Sequence, residues 1–175
     1  MASTLSELEA DSWAFALAIY AKPGVAEACL TLQNEAGVDV MLLLMATFTA
    51  VKHRILLTAD EIRELDEACL PWREQIVWPL RAIRSELKTG PRPAPNVATE
   101  PFRSQVKALE LAAEKLENKL LAECLPLRPP EKETVTLEQL HTVLERVVAH
   151  FVKRQRVQLS SSIDKIVEAA IQDAG

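Results

Sequence analysis

The sequence predicts an all-α protein, in which a helical bundle surrounds one buried central helix and is followed by a C-terminal helical hairpin and one further helix. Two observations lead to this fold class. Apolar residues recur at spacings of three and four along most of the 175 residues, which is the period of a helix that buries one face. Helix-forming residues are abundant, glycine occurs only four times, and no stretch alternates between apolar and polar residues as a strand would.

The first two helices are delimited by capping residues and by a Pro-Gly break. Thr4, with Glu7 three positions later, predicts a capping box for the first helix, and Asp11 is a second candidate cap. That helix must stop before Pro23-Gly24, because a residue that precedes proline resists the helical conformation. We expect Pro23 to occupy the first turn of the second helix, where its missing N–H is not needed.

The third helix is the predicted centre of the bundle. Gly37 supplies a left-handed stop for the second helix, and Asp39 is placed to cap the third, over residues 39–53. Residues 41–45 are apolar on every side of this helix. A helix that is apolar all round has to be surrounded by other elements, so we expect residues 39–53 to be buried.

A long helix follows, and its apolar residues form one continuous seam. Thr58 and Glu61 make a capping box at its start. Pro71 and Pro79 each remove a backbone donor, so they should kink this helix or divide it in two. The seam consists of Ile62, Leu65, Cys69, Trp72, Ile76, Leu80, Ile83 and Leu87.

Residues 89–101 read TGPRPAPNVATEP and are interpreted as a Pro-rich linker between a helical bundle, 1–88, and a C-terminal helical segment, 102–175, that docks on it. Apolar residues at spacings of four and three over 102–120 predict a helix that pairs with one partner helix. The partner is either residues 137–151, the helix opened by Thr136 and Gln139, or a second copy of the chain; we favour the internal partner. The stripe consists of Phe102, Val106, Leu109, Ala113, Leu116 and Leu120.

Several short stretches together resemble a known family. They read W-x-F-x-L-x-x-Y from Trp13, then PGV from Pro23, ACL-x-LQ from Ala28 and G-x-DV from Gly37, followed by a leucine run. Over about residues 12–88 the chain is similar to a conserved domain of unknown function known mainly from Proteobacteria, whose members are uncharacterised bacterial proteins. The resemblance implies a bacterial, cytoplasmic protein and supplies no biochemical activity.

The sequence contains no arrangement of residues that predicts chemistry. No nucleophile elbow, Walker loop or Cys/His cluster occurs, and His141 and His150 fall on opposite sides of one helix, too far apart to share a metal. Cys29, Cys69 and Cys124 are expected to be small buried hydrophobes. We therefore predict no catalytic, metal or cofactor site, and a protein that is not an enzyme, with an enzyme or an apolar-ligand binder as the less favoured interpretation.

Two surfaces are candidates for interaction. Trp78 lies off the main seam and is the best candidate for an exposed anchor, whereas Trp13 and Trp72 are expected in the core. Arg81, Arg84 and Lys88 follow Trp78 as a basic stripe at i, i+3 and i+7. The second basic patch consists of Arg146, Lys153, Arg154 and Arg156.

These candidates lead to two functional hypotheses. The first is a protein–protein interaction or regulatory module with an unknown protein partner, in which residues 102–120 could also form a homodimer. The alternative is binding of RNA or DNA through the basic helix faces, which the net charge of −5 and the scarcity of aromatic residues there disfavour. The polar, acidic N-terminus and an apolar run of only twelve residues, 40–51, predict a cytoplasmic protein without a signal peptide or a membrane span.

Overall fold

The computed structural model of the chain describes residues 4–152 and 159–172. Within these ranges the chain forms α-helices and one π turn, and it forms no strand, so the prediction of an all-α protein is confirmed. The elements are, in order, α1 (Leu5–Tyr20), α2 (Val25–Ala36), α3 (Val40–His53), α4 (Ala59–Trp72), the π turn (Arg73–Val77), α5 (Trp78–Glu86), α6 (Glu100–Cys124), α7 (Leu137–Phe151) and α8 (Ser160–Gln172).

Helix α3 is the buried centre of the molecule, as its composition predicts. Every residue from Met41 to Ala50 is buried. Two of these residues are polar, and each satisfies its hydroxyl within the helix: Thr47 Oγ1 donates to the Leu43 carbonyl and Thr49 Oγ1 donates to the Met45 carbonyl, both at 2.8 Å. Helices α1, α4, α6, α7 and α8 all contact α3. The apolar character of this helix on every side is therefore matched by neighbours on every side.

The C-terminal helices pack on the N-terminal ones. Helix α7 lies against α3, α8 lies against α2, and α6 lies against α1, α4 and α5. The prediction that residues 137–151 pair with residues 102–120 is wrong, since α6 and α7 do not contact each other. The reason is that only part of the apolar stripe faces inward: Phe102, Leu109 and Leu116 are exposed, and the buried row of α6 combines Val106 and Ala113 with Glu110, Glu117 and Leu121.

Most of the predicted helix ends are observed. Capping boxes form at Thr4, Thr58 and Thr136, with the partner residue three positions later in each case. The carboxylate of Asp39 accepts from the Leu42 N–H at 3.0 Å and caps α3. Gly37 ends α2 with a φ of 69°, a left-handed conformation that glycine adopts without a steric penalty. The capping residues therefore predict these helix ends correctly.

The predicted start of the second helix is wrong by two residues. Helix α2 begins at Val25, and Pro23 lies in the turn before it. Gly24 occupies the N-cap position with a φ of 79°. A side chain at this position would be strained by that conformation and would also meet the Lys165 side chain of α8 at 3.3 Å. Gly24 thus turns the chain and lets α8 approach the start of α2.

The predicted apolar seam faces the core only as far as Trp72. Ile62, Leu65 and Cys69 are buried, but Ile76 and Ile83 are exposed and no residue of α5 is buried. The π turn is the cause, because it inserts one extra residue into the helix and so rotates everything after it by about 100°. The prediction of a continuous seam is therefore wrong beyond Trp72, although the predicted division near Pro71 and Pro79 is confirmed.

The three cysteines differ in their surroundings. Cys29 and Cys69 are buried, as expected, and burial raises the pKa of the Cys29 thiol to about 12. Cys124 is exposed at the end of α6, so the expectation of burial is wrong for this residue. It lies in the last turn of the helix.

The length and composition of the helices limit what could cross a membrane. No single helix in the described ranges is both long and apolar enough to cross a bilayer. Helices α1 and α2 reach that length and composition only together, and they meet at an angle of 99°.

We expect Thr58→Ala to lower the free energy of unfolding by about 1 kcal/mol, because the Thr58 hydroxyl accepts from the Glu61 N–H at the start of α4. Urea unfolding followed by circular dichroism measures the change. Thr31→Ala is the matched control, since the Thr31 hydroxyl bonds within the middle of α2 and caps no terminus. The control should change stability by less than about 0.5 kcal/mol. Equal losses in both variants would show that the box contributes nothing particular.

Candidate functional site

Arg73, the first residue of the π turn, lies in the interior and holds three carboxylates. Its Nη1 donates to Asp66 of α4 at 2.6 Å, its Nε donates to Glu117 of α6 at 3.0 Å, and its Nη2 lies 3.2 Å from Asp39 at the start of α3. The Arg73 side chain is only 3% exposed. A guanidinium is suited to this position because it offers five donors in a fixed plane and stays charged.

The charges of this buried network do not balance. Three carboxylates surround one guanidinium, and within the described residues Glu117 Oε2 and Arg73 Nη2 lack hydrogen-bond partners. Burial, together with the nearby Asp39 carboxylate, raises the pKa of Glu117 to about 8, against the opposing attraction of Arg73. Of the three carboxyl groups, Glu117 is the one whose neutral form its burial favours, and a proton held there reduces the net negative charge of the network.

The network extends from one pocket of the molecule to another. On the far side of Arg73, the Nε2 atom of His150 lies 2.8 Å from Asp66 Oδ2. Asp66, Arg73 and His150 line an open pocket that also includes Trp78 and Phe151. Asp39, at the opposite end of the network, lines a second and more apolar cleft.

A second cluster of ion pairs joins α5 to α6 beside that cleft. Arg81 donates from Nε to Glu110 at 2.9 Å and from Nη2 to Glu114 at 2.8 Å, and Arg84 donates to both oxygens of Glu110. Burial acts to raise the pKa of Glu110, but the hydrogen bonds from Arg84 and Arg81 hold it below its ordinary value. Burial raises the pKa of Glu114, which has a single arginine partner. Two positive charges are thus compensated by two carboxyl groups within the chain.

The cleft itself has a volume of about 350 Å³ and is formed by α1, α2, α3, α5 and α6. Ala16, Met41 and Leu44 form its buried apolar floor, and Trp13 is half-buried at its side. The Arg81 and Arg84 ion pairs with Glu110 and Glu114 form its polar wall.

Large exposed apolar residues surround the mouth of this cleft. They come from three different helices, and between 37% and 48% of the surface of each is exposed. Scattered exposed leucines are normal on a protein surface, whereas apolar side chains that converge on a concave site mark a place of interaction. We call this arrangement the docking cleft, and the residues at its mouth are Leu17, Tyr20, Leu30 and Leu111.

The residues predicted as interaction candidates lie in different surroundings. Trp78 is 44% exposed, but it lines the pocket beside Arg73 and not the docking cleft. Arg81 and Arg84 lie in the wall of the docking cleft, where they are paired with glutamates. Lys88 is exposed beyond the end of α5. The structure therefore does not gather these four residues into one patch.

Little of the second basic patch can be described. Arg146 is exposed and its Nη1 donates to the Leu57 carbonyl at 3.1 Å. Lys153, Arg154 and Arg156 lie outside the described residues. Over the described part of the chain, no three residues of the types that bind metals come together as a metal site.

Sequence reasoning missed Arg73 and the glutamates of α6. The apolar spacing of residues 102–120 predicts contacts for the apolar residues alone and says nothing of the glutamates between them. A signal for the true packing was present: Glu110, Glu114 and Glu117 recur at i, i+4 and i+7, so they form a stripe of their own. Arginines on the preceding helix provide the opposite charge in an antiparallel register.

We expect Glu117→Gln to flatten part of the dependence of stability on pH. The unfolded chain releases the Glu117 proton near the ordinary value of 4.5, whereas the folded chain retains it up to about 8. Wild-type stability should therefore fall as pH rises between these values, and the amide should remove that fall. Urea unfolding at pH 5 and at pH 8 measures the free energy of unfolding of both proteins. Relative to the wild type, the variant should be more stable at pH 8 than at pH 5 by at least about 1 kcal/mol.

Glu123→Gln is the control for this experiment, since Glu123 lies on the exposed side of the same helix. Its difference from the wild type should be the same at both pH values. An equally constant difference for Glu117→Gln would show that Glu117 is ionised in the folded protein throughout this range.

Comparison with known proteins identifies the family but not an activity. The model of a family described as a protein of unknown function, DUF2390, matches residues 11–121, well over half of the chain. Comparisons with curated proteins and with solved structures gave no match. The match extends the resemblance predicted for residues 12–88 to residue 121, near the end of α6. Every residue that lines the docking cleft lies within the matched region. The chain therefore belongs to the DUF2390 family of proteins of unknown function.

Proposed function

We propose that this protein is a non-enzymatic interaction module whose docking cleft receives a large apolar side chain from an amphipathic helix of another protein. The observation that carries the proposal is the convergence of four exposed apolar residues from three helices on one concave, apolar-floored site. Partner helices commonly bind in this way, by placing the apolar residues of one face into a groove.

The electrostatics of the cleft favour an apolar occupant over a charged one. Arg81 and Arg84 already have carboxylate partners at hydrogen-bond distance, so a charged ligand would have to displace Glu110 or Glu114. Breaking such a partly buried pair leaves the displaced carboxylate without its partner, which is unfavourable. An apolar side chain needs no such exchange, because it contacts Ala16, Met41 and Leu44 on the floor.

The dimensions of the cleft suit an anchor side chain. A volume of about 350 Å³ lies at the lower end of the range of small-molecule pockets, about 300–1,000 Å³. It accommodates one or two large side chains, and the partly exposed Trp13 and Tyr20 provide aromatic surface against which they can pack. Removing one such anchor from water contributes about 1.5–3 kcal/mol, which is enough to make a single residue decisive for affinity.

Binding of RNA or DNA, the alternative hypothesis, receives less support from this geometry. Of the two arginines in the first basic stripe, Arg81 and Arg84, both have their charge offset by glutamates of α6. A phosphate backbone would therefore meet little positive potential at α5, whereas binding to nucleic acid depends on uncompensated positive charge.

The experiment begins with affinity purification from cells of the organism that encodes the chain, with the wild type and Leu17→Glu as baits. A protein recovered only by the wild type is then dissected into helical segments, and each segment is titrated by calorimetry. We expect one amphipathic segment to bind the wild type and to bind Leu17→Glu at least about tenfold more weakly, because the substitution places a charge at the mouth of the cleft.

Leu5→Glu is the matched control, since Leu5 lies on the same helix and is equally exposed, at 48% against 47%, but does not line the cleft. It should bind the segment with an affinity within about twofold of the wild type. A segment that binds Leu17→Glu as tightly as the wild type would show that the partner docks elsewhere. A small apolar molecule recovered in place of a protein would also contradict the proposal.

A further inference from the structure

The opposite side of the α5–α6 pair carries a second exposed apolar surface. On α6, Phe102, Leu109 and Leu116 recur every seven residues and are all more than half exposed. On α5 and the π turn before it, Ile76 and Ile83 are also seven residues apart and are 37% and 47% exposed. We call these five residues the apolar strip.

The two halves of the apolar strip lie on the same side of the helix pair. Arg81 bonds to Glu114, so these two residues mark the side of α5 and of α6 that faces the docking cleft. At 100° per residue, Ile83 lies about 160° around α5 from Arg81, and Leu109 lies about 140° around α6 from Glu114. The helices run antiparallel, because Arg73 pairs with Glu117 while Arg84 pairs with Glu110. The strip is therefore a continuous face turned away from the cleft.

The π turn is what exposes the α5 half of this face. In an uninterrupted α-helix, the seam that buries Ile62, Leu65 and Cys69 would continue inward through Ile76 and Ile83. The turn instead directs Val77 into the core and Ile76 outward. Insertions of this kind are rare and occur mostly at functional sites.

We propose that the apolar strip is a homodimer interface, in which two copies of the chain pack their α5–α6 pairs against each other as a four-helix bundle. Apolar residues repeated every seven positions are the pattern by which helices pack at small crossing angles. The inference goes beyond the docking cleft, because the two surfaces lie on opposite sides of α5 and α6 and neither needs the other.

The size of the face suits a second helix pair better than a single helix. From Phe102 to Leu116 the strip is about 21 Å long, and two packed helices are about 20 Å wide. A lone partner helix, about 10–12 Å across, would leave roughly half of that width uncovered. In projection the face covers about 420 Å², roughly half of the about 800 Å² per partner that a stable dimer buries, so neighbouring residues of α5 and α6 must contribute the rest.

The charge distribution also favours a second copy. Two chains of net charge −5 repel each other over most of their surfaces. Along the outer border of the strip, the residues three positions after each strip residue of α6 are Gln105, Ala112 and Lys119, so this line carries one charge, and that charge is positive. On α5 the residue three positions after Ile83 is Glu86, so the borders of the strip on the two helices carry opposite charges.

Sedimentation velocity of the full chain, over concentrations from low micromolar to several hundred micromolar, tests this proposal. We expect the wild type to have twice the chain mass in the upper part of this range. Leu109→Glu and Leu116→Glu should each remain at the mass of one chain, with unchanged helix content by circular dichroism. Both residues are exposed in one copy, so the substitutions place a charge at the interface without entering the core.

Leu111→Glu is the matched control, since Leu111 lies on the same helix and is similarly exposed but lines the docking cleft. It should form dimers like the wild type, while partner binding at the cleft should be weakened. A wild type of single-chain mass at every concentration would overturn the proposal. So would a dimer that Leu109→Glu leaves intact, and neither result would affect the partner-docking proposal, which Leu17→Glu tests.

Discussion

The arrangement of α3, α4 and α6 depends on one buried guanidinium. Arg73 bonds to α4 through Asp66 and to α6 through Glu117, and it lies beside Asp39, the residue that caps α3. One side chain thereby connects the central helix to two of the helices that surround it. Buried ion pairs often add little net stability, because desolvation offsets their attraction. What this one specifies is geometry: α6 can lie at only one rotation if Glu117 is to reach Arg73, and that rotation decides which of its faces is buried.

The π turn that begins at Arg73 determines which apolar residues of the following helix are exposed. Arg73 lies four residues after the buried Cys69 and so faces inward in the register of α4, whereas the π turn that begins at Arg73 changes the register of the residues that follow it. Arg81 and Arg84 then face the glutamates of α6, while Ile76 and Ile83 face outward. A sequence whose apolar residues could all have been buried in one register instead exposes several of them. The buried arginines and glutamates are paired, whereas the isoleucines are left exposed. The α5–α6 pair therefore has an apolar side that another molecule can contact.

Sequence reasoning was accurate where structure is decided locally, and it failed where structure depends on distant partners. The capping boxes at Thr4, Thr58 and Thr136 and the burial of α3 each depend on a few adjacent residues, so they could be predicted. The partner of α6 could not, because its heptad pattern is compatible with any apolar helix and says nothing of Arg73, 44 residues before Glu117. The docking cleft could not be predicted for the same reason. In the sequence, Leu17, Leu30 and Leu111 resemble ordinary core residues, and only the packing of three helices brings them together around one opening.

Helix α3 is covered on one side by helices of the family region and on the other by helices that lie beyond it. One flank is covered by α1, α4 and α6, which lie largely or wholly within residues 11–121, the region that defines the family. The other is covered by α7 and α8, which lie beyond that region. The family region alone therefore does not bury α3 completely in this chain. If the chain were cut after residue 124, the side of α3 that α7 and α8 cover would be exposed to water. In this chain, helices that lie beyond the family region therefore complete the burial of its central helix.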